Sequence, residues 1–468
     1  MFIGREEELA ILSRRYDSDR FEFGYIYGQR RIGKTCLVDE FAKNKKALVL
    51  FAGDSDDKTI RDDFTSYLAQ ASGRVYGSFK SWDDFFIAVS EYFGDTKGFL
   101  VIDEYPNIVL TRDGKRKKTD FVSKLQNAID RVFSKQRFLL VLTGSNVSFM
   151  EKEVSDTKAP LYERNTFQLF LTKLDWVNGV TMIGGMDLQD RIKTLCLTDT
   201  FPFYLSNIDV NASFDENLDR LFFGRDALFV SDPSKLLTSE IEANGLYSGI
   251  MRNLAAGHNT ITALANVLDV DSAVVSVYLE KLIKNNVVSR HSMYNSKRTT
   301  FYKIIDRMTA FYFRFIHRNA DLIKLGYGQA IKERERNAID NFIHLAFEDV
   351  CISYLEHLNR HLALGDLFPE FQNYHVENSV LGRSIELDIV SSTDTSLLVG
   401  ECKLSSSKKG IEILSRMKEN ISVPPFNNFK NVCYYIFSSS GFDNDLLAKH
   451  GANVNLIDLA YMLEISGQ

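Results

Sequence analysis

The chain has 468 residues, 45% hydrophobic and 25% charged, with seven prolines and a formal net charge of −6. That composition excludes a long disordered tail, a collagen-like repeat and a mucin-like stalk, and the acidic balance argues against indiscriminate binding to nucleic acid. The length predicts about two to four domains, since single cores stop growing near about 250–300 residues.

The first residues, Met1-Phe2-Ile3-Gly4-Arg5-Glu6-Glu7-Glu8, have neither the basic nor the apolar stretch of a signal peptide. From there to about residue 172, short apolar runs alternate with amphipathic stretches. The runs are Phe23–Tyr27, Leu48–Phe51, Phe99–Ile102, Phe138–Leu142 and Phe167–Leu171. The helical patterns between them cover Lys34–Lys43, Ile60–Ala71, Trp82–Phe93 and Phe121–Phe133. This rhythm predicts an α/β fold with a parallel sheet covered on both faces.

The segment Gly28-Gln29-Arg30-Arg31-Ile32-Gly33-Lys34-Thr35-Cys36 contains GxxxxGK[ST], after an apolar strand and at the start of a helix. That is the context a phosphate-binding P-loop requires. The glycines let backbone N–H groups point at a phosphate, and the helix N-terminus adds partial positive charge. Lys34 is expected to reach the β- and γ-phosphates of ATP, and the Thr35 hydroxyl to ligate Mg²⁺. About seventy residues on, Phe99–Ile102 ends in Asp103 and Glu104. Asp103 is the candidate second Mg²⁺ ligand, and Glu104 the group that polarises the attacking water. The run Phe138–Leu142 leads to Ser145, a candidate hydrogen-bond partner for the γ-phosphate or the water.

Residues 173–335 read as mostly helical. Helical stretches at Tyr247–Ala256, Thr260–Leu268 and Asp271–Asn285 precede strand-like runs at Val287–His291 and Thr300–Ile305. Three helices and a two-stranded wing predict a winged helix-turn-helix, with Ser272, Ser276, Tyr278 and Lys281 on its candidate recognition helix and Lys297 and Arg298 on its wing. From Lys281 to Arg318 there are nine Lys or Arg and one acid, Asp306. Such a basic island on an acidic chain is a candidate DNA contact.

Beyond residue 335 the pattern returns to α/β. In Ile385–Val390, Glu386 and Asp388 share one face, and in Ser396–Lys403, Glu401 and Lys403 do. Asp388 followed by Glu401-Cys402-Lys403 is similar to the PD-(D/E)XK nuclease core. Two carboxylates there would hold Mg²⁺, and Lys403 would orient the attacking water. Glu348, on a helix expected over Asn341–Leu358, matches the acid such nucleases carry on their first helix. For Asp388 to approach Glu401, the hairpin register is expected to slip. The five cysteines, Cys36, Cys196, Cys351, Cys402 and Cys433, are dispersed without a CxxC. This argues against a zinc ribbon or a disulfide framework and, with no apolar run of roughly 20 residues, predicts a cytoplasmic protein without a membrane segment.

These motifs together resemble a known family. Phe2-Ile3-Gly4-Arg5-Glu6-Glu7-Glu8-Leu9 resembles the hhGRExE box of STAND and AAA-type ATPases. Gly28–Thr35 is similar to the GxRRxGKT loop of the archaeal-type P-loop ATPase family. Pro160-Leu161-Tyr162-Glu163-Arg164 resembles that family's PLYGRR motif with Glu163 in place of glycine. Thr200-Phe201-Pro202-Phe203-Tyr204 resembles its GGxPxYL segment without the glycines. The resemblance implies that Phe2 and Ile3 lie near the adenine, and that Arg164 senses the γ-phosphate in its own subunit or across a homo-oligomer boundary. Pattern changes near 172 and 335, read with the resemblance, give four expected parts: a P-loop ATPase core (1–172), a helical lid (173–235), a winged helix with a linker helix (236–335), and a C-terminal α/β restriction-endonuclease-like domain (336–468). The expected function is an ATPase coupled to a DNA-binding, Mg²⁺-dependent nuclease-like domain. The alternative is an ATP-dependent DNA-binding or protein-interaction switch whose nuclease-like domain is inactive.

Overall fold

β1 (Glu22–Tyr27), β3 (Gly98–Asp103) and β4 (Phe138–Gly144) are buried along their whole length, as strands covered on both faces must be. With β2 (Ala47–Phe51) and β5 (Phe167–Phe170) they form a sheet of order β2-β3-β4-β1-β5, in which every pairing is parallel. β4 therefore separates the strand that leads into the P-loop from the strand that ends in Asp103. The helices Asp57–Ser72, Trp82–Phe93 and Phe121–Arg131 pack an aromatic core, including Phe64, Trp82, Phe85 and Phe121, against this sheet.

The computed structural model describes residues 2–111, 114–230, 245–378, 380–451 and 453–464. They divide into two compact units. The first runs to Leu174 and takes in Lys281–Asn286, and the second holds the rest. The boundary expected after residue 235 lies outside the described residues. The boundary expected after residue 335 falls inside one helix, Gly328–Arg360, which runs unbroken for 33 residues. Its run of Ala, Lys, Glu and Arg after Gly328, with an Arg336–Glu333 ion pair at 2.8 Å, favours helix well upstream of the apolar stripe that marks Asn341–Leu358.

Helices Gly245–Ala255, Ile261–Leu268 and Ser272–Lys284, the last of which ends in residues of the first unit, are followed by the antiparallel ribbon β6 (Val288–Met293) and β7 (Ser296–Ile304). Three helices and a two-stranded ribbon stand in the order the sequence pattern gives for this stretch. A second sheet has the order β12-β11-β10-β9-β8, built from β8 (Gln372–Asn378), β9 (Arg383–Ser392), β10 (Ser396–Lys403), β11 (Asn431–Ser438) and β12 (Val454–Asp458). β10, β11 and β12 are parallel, while β8 and β9 add antiparallel. Among the described residues no single helix is long and apolar enough to cross a membrane.

Candidate functional site

At the end of β1 the chain turns through Gly28 into a loop that ends at Gly33, the N-cap of helix Lys34–Ala42. Gly28 is required by close approach, since a Cβ there would lie 2.3 Å from the Leu171 carbonyl oxygen. Gly33 takes φ +90° and Arg31 φ +67°, so the loop curls left-handed before the helix begins. Lys34 is buried and donates from Nζ to the carbonyl oxygens of Gly28 and Gln29, both at 2.8 Å. These bonds satisfy an ammonium held away from water. Thr35 and Cys36 are exposed on the first turn.

The Thr35 hydroxyl donates to Asp103 Oδ2 at 3.1 Å. Neighbouring oxygens in an octahedral Mg²⁺ shell lie about 2.9 Å apart, so these two residues have the spacing of a shared ligand pair. The other carboxylate oxygen of Asp103 accepts from the Thr143 hydroxyl and from the Glu104 backbone N–H at 3.1 Å. Glu104 adopts φ +55°, a conformation that costs a residue with a Cβ about 1 kcal/mol. Its Oε2 accepts from the Ser145 hydroxyl at 2.9 Å and the Ser145 N–H at 3.2 Å. Thr35, Asp103, Glu104 and Ser145 are thus brought together, with Ser145 bonded to Glu104.

Phe2 and Ile3 are half-buried ahead of helix Glu6–Tyr16. Arg5, the N-cap of that helix, donates to the Ile32 carbonyl at 3.2 Å and to the Thr172 carbonyl. It ties the N-terminal box to the phosphate loop. The sequence marked Arg5 as part of a motif without a role, because both partners are backbone carbonyls that leave no side-chain signature. Arg164 stands elsewhere. Its guanidinium grips Asp130 with two bonds, at 2.8 and 2.9 Å, and donates to the Pro160 and Tyr162 carbonyls. None of its bonds goes to Lys34, Thr35, Asp103 or Glu104.

The C-terminal residues converge within the second unit. β9 extends to Ser392, so Gly400 pairs with Ile389, and one further step of the same register sets Glu401 opposite Asp388. The register therefore needs no slip, which corrects the expectation. That expectation ended β9 two residues early and so misplaced the turn. Lys403 Nζ lies 2.7 Å from Glu401 and 3.5 Å from Asp388, and the Cys402 N–H donates to Asp388 Oδ2 at 2.8 Å. Cys402 itself is turned inward and buried. Asn373 on β8 donates to Glu348 at 3.1 Å and to the Asp388 carbonyl at 2.7 Å, which draws the helix acid to the strand acid.

Glu348, Asp388, Glu401 and Lys403 line one cleft of about 370 Å³, with Glu386, Glu412 and Arg416 also on its walls. Burial, and then the charge of Asp388, push the Glu348 carboxyl up to about 8. Burial also raises Asp388 and Glu401, against the pull of Lys403. Lys403 is raised as well, because Asp388 and Glu401 outweigh its own desolvation. Three carboxyl groups thus face one ammonium in a partly desolvated cleft. A hard divalent cation fits that oxygen donor set. Asn373 and Arg416 were missed from sequence. Asn373 sits on a strand with no alternation, and Arg416 on a helix whose pattern marks only its buried face.

A family model described as an ATPase domain predominantly from Archaea matches residues 2–187. Residues 312–414 match a second, "Archaea bacterial proteins of unknown function". The uncharacterized protein MJECL04 of Methanocaldococcus jannaschii is 26% identical over 412 residues, 87% of this chain and 88% of its own. The uncharacterized ATP-binding protein MJ0423 of the same organism is 44% identical over 46 residues, which are 10% of this chain and 78% of its own. Among solved structures, the Walker-type ATPase paby2304 of Pyrococcus abyssi superposes with a TM-score of 0.52 at 18% identity. It covers 67% of this chain and 96% of its own, and at that identity the likeness is one of fold. With the P-loop, its acidic strand and this match in agreement, residues 2–187 form an ATPase domain of the archaeal P-loop type.

Proposed function

We propose that the chain hydrolyses ATP in its first unit and that its C-terminal cleft is a Mg²⁺-dependent nuclease-like site acting on DNA. The observation that carries the second half is the convergence of Glu348, Asp388, Glu401 and Lys403 on one cleft.

In the first unit, Lys34 and the loop N–H groups hold the phosphates of ATP, and Thr35 with Asp103 would hold Mg²⁺. Ser145 fixes Glu104 by Oε2, which leaves Oε1 to take the proton of the attacking water. Phe2 and Ile3 are assigned to the adenine. Arg164 reaches a γ-phosphate only by giving up Asp130.

In the C-terminal cleft, Glu348, Asp388 and Glu401 would hold the cation. The bonds from Cys402 and Lys403 occupy Asp388 Oδ2 and Glu401 Oε1, so Asp388 Oδ1 and Glu401 Oε2 are assigned to it. When bound, the cation supplies Lewis-acid polarisation of a phosphodiester and lowers the pKa of its water. Lys403 positions that water and offsets phosphate charge, and Arg416 on the cleft wall adds a second cation for the backbone.

The test is cleavage of supercoiled, linear and single-stranded DNA with Mg²⁺ or Mn²⁺, with and without ATP, for wild type, Lys403→Ala and Glu104→Gln. Cutting that vanishes in Lys403→Ala supports the reading. Cutting that persists there, or no cutting by wild type under any condition, defeats it.

One observation favours the second reading, a switch that contacts protein. The helix in the recognition position exposes Val274 (40%) and Val277 (55%), beside Val267 (49%) of the preceding helix. Tyr278 is half-buried and packs edge-on against Tyr247 at 4.5 Å. The basic group Arg290 of β6 is paired with Glu280, and the side chains of Lys297 and Arg298 lie outside the described residues. No DNA affinity together with nucleotide-dependent oligomerisation would favour this reading, whereas an affinity that falls steeply with salt would mark phosphate contacts.

A further inference from the structure

His357 stands in the last turn of helix Gly328–Arg360 and His361, four residues on, is its C-cap, while Asp175 is the N-cap of helix Trp176–Met182. Their ligating atoms all lie within 4.8 Å of one another. None of the three belongs to the cleft. Nine residues of helix, about 13 Å of rise, separate His357 from Glu348.

Three features set this cluster apart from a surface ion pair. First, His357 is only 7% exposed, and its Nδ1 lies 2.8 Å from Asp175 Oδ2. Two donor atoms at that spacing can be neighbouring ligands of one ion. Second, the imidazoles project from the C-terminal end of a 33-residue helix, where the carbonyl ends favour a cation. Third, the two carboxylate oxygens of Asp175 are divided, Oδ2 toward His357 and Oδ1 toward Arg360. Arg360 is the competing cation. It sits 3.3 Å from Asp175 Oδ1, the oxygen that does not face His357, and its side chain is 58% exposed. It can therefore stay on Oδ1 or withdraw into water.

We propose that Asp175, His357 and His361 form a binding site for one transition-metal dication of the zinc class, separate from the Mg²⁺-type cleft. Two imidazole nitrogens and one carboxylate oxygen are the donor set of borderline ions such as Zn²⁺, Co²⁺ and Ni²⁺ rather than of Mg²⁺. His361 is exposed, so the fourth position would be taken by water. Trp176, next to Asp175, packs edge-on at 5.8 Å against Tyr354, one turn before His357. The ion would pin the end of helix Gly328–Arg360 to the start of helix Trp176–Met182.

The test uses the full chain, stripped with chelator and titrated with Zn²⁺ and with Co²⁺, the latter followed by visible absorption. Wild type is expected to take up one equivalent with the stronger absorption of a low-coordinate nitrogen-containing Co²⁺ site. The all-oxygen cleft gives only a weak octahedral band. His361→Ala, an exposed change, is expected to weaken that uptake at least about tenfold while leaving the metal-free melting temperature unchanged. Asp175→Asn, with its cap oxygen retained, is expected to weaken the uptake as well. Equal uptake by wild type and His361→Ala, or no nitrogen-ligated Co²⁺ signal in wild type, overturns the proposal and leaves an Asp–His ion pair.

Discussion

The two candidate sites handle negative charge in opposite ways. In the first unit Asp103 accepts from Thr35, Thr143 and the Glu104 N–H, and Glu104 accepts twice from Ser145. Each acid is satisfied by neutral donors before any ligand arrives, and cationic charge is supplied separately by Lys34 and the helix start. In the C-terminal cleft, Glu348, Asp388 and Glu401 share one ammonium and few neutral donors, and all three carboxyls are pushed upward. The first arrangement is preorganised for a ligand that is itself an anion. The second is incomplete in charge, and a dication completes it.

The largest effect that would break this contrast is on turnover. Glu104→Gln keeps the Ser145 bonds but cannot take a proton. ATP hydrolysis should fall about 10²- to 10⁴-fold while ATP binding, measured by a fluorescent nucleotide, is retained. Loss of binding instead would mean that Glu104 shapes the loop rather than the water. Lys403→Ala should come next, lowering DNA cleavage by about 10²- to 10³-fold. It should also raise the affinity for Mn²⁺, because the competing ammonium is gone. A drop in Mn²⁺ affinity would show that Lys403 organises the acids rather than balancing them.

The contrast also appears in pH dependence. Without metal, Glu348 titrates near 8 in the folded chain and near its ordinary value of 4.5 when unfolded. Between those values the folded state holds the extra proton, so stability falls as pH rises through the window. In chelator, the unfolding transition of the second unit should drop by about 5 °C from pH 5.5 to 8.5. Glu348→Gln should remove most of that slope, and Mg²⁺ should restore the wild type at the alkaline end. A flat profile in wild type would mean that burial and the charge of Asp388 do not press on Glu348 as the cleft implies.

Much of this was legible in the sequence where an element is buried on both faces or carries a fixed backbone demand. β1, β3 and β4 are apolar from end to end, and the P-loop announces itself through glycines whose positions admit no side chain. The Asp388, Glu401 and Lys403 faces followed from strand alternation alone. What was missed lies on polar edges and in backbone contacts. β8 reads Gln-Asn-Tyr-His-Val-Glu-Asn and buries only Tyr374, so no period marks it, yet it brings Asn373 between Glu348 and Asp388. The length of β9 was underread because Ser391 and Ser392 look like turn residues. In the structure they pair with Leu398 and Leu397, and this alone sets Asp388 opposite Glu401.

Arg5 offers the smallest effect and the sharpest discrimination, because it belongs to the first site by position and not by chemistry. Its guanidinium satisfies the Ile32 and Thr172 carbonyls and pairs with Glu8 at 2.9 Å, with the side chain only 8% exposed. Arg5→Ala strands those carbonyls and should cost about 1–3 kcal/mol, which lowers the melting transition of the first unit by a few degrees. The loop it steadies binds phosphate in the ground state and transition state alike, so KM for ATP should rise while kcat holds. Arg5→Lys can reach one carbonyl but not both, and should recover part of the loss. The pH slope of the second unit should be unchanged in both variants. If kcat falls instead, Arg5 is positioning the water-directing acids through the loop, and the preorganisation of the first site extends further than Asp103, Glu104 and Ser145.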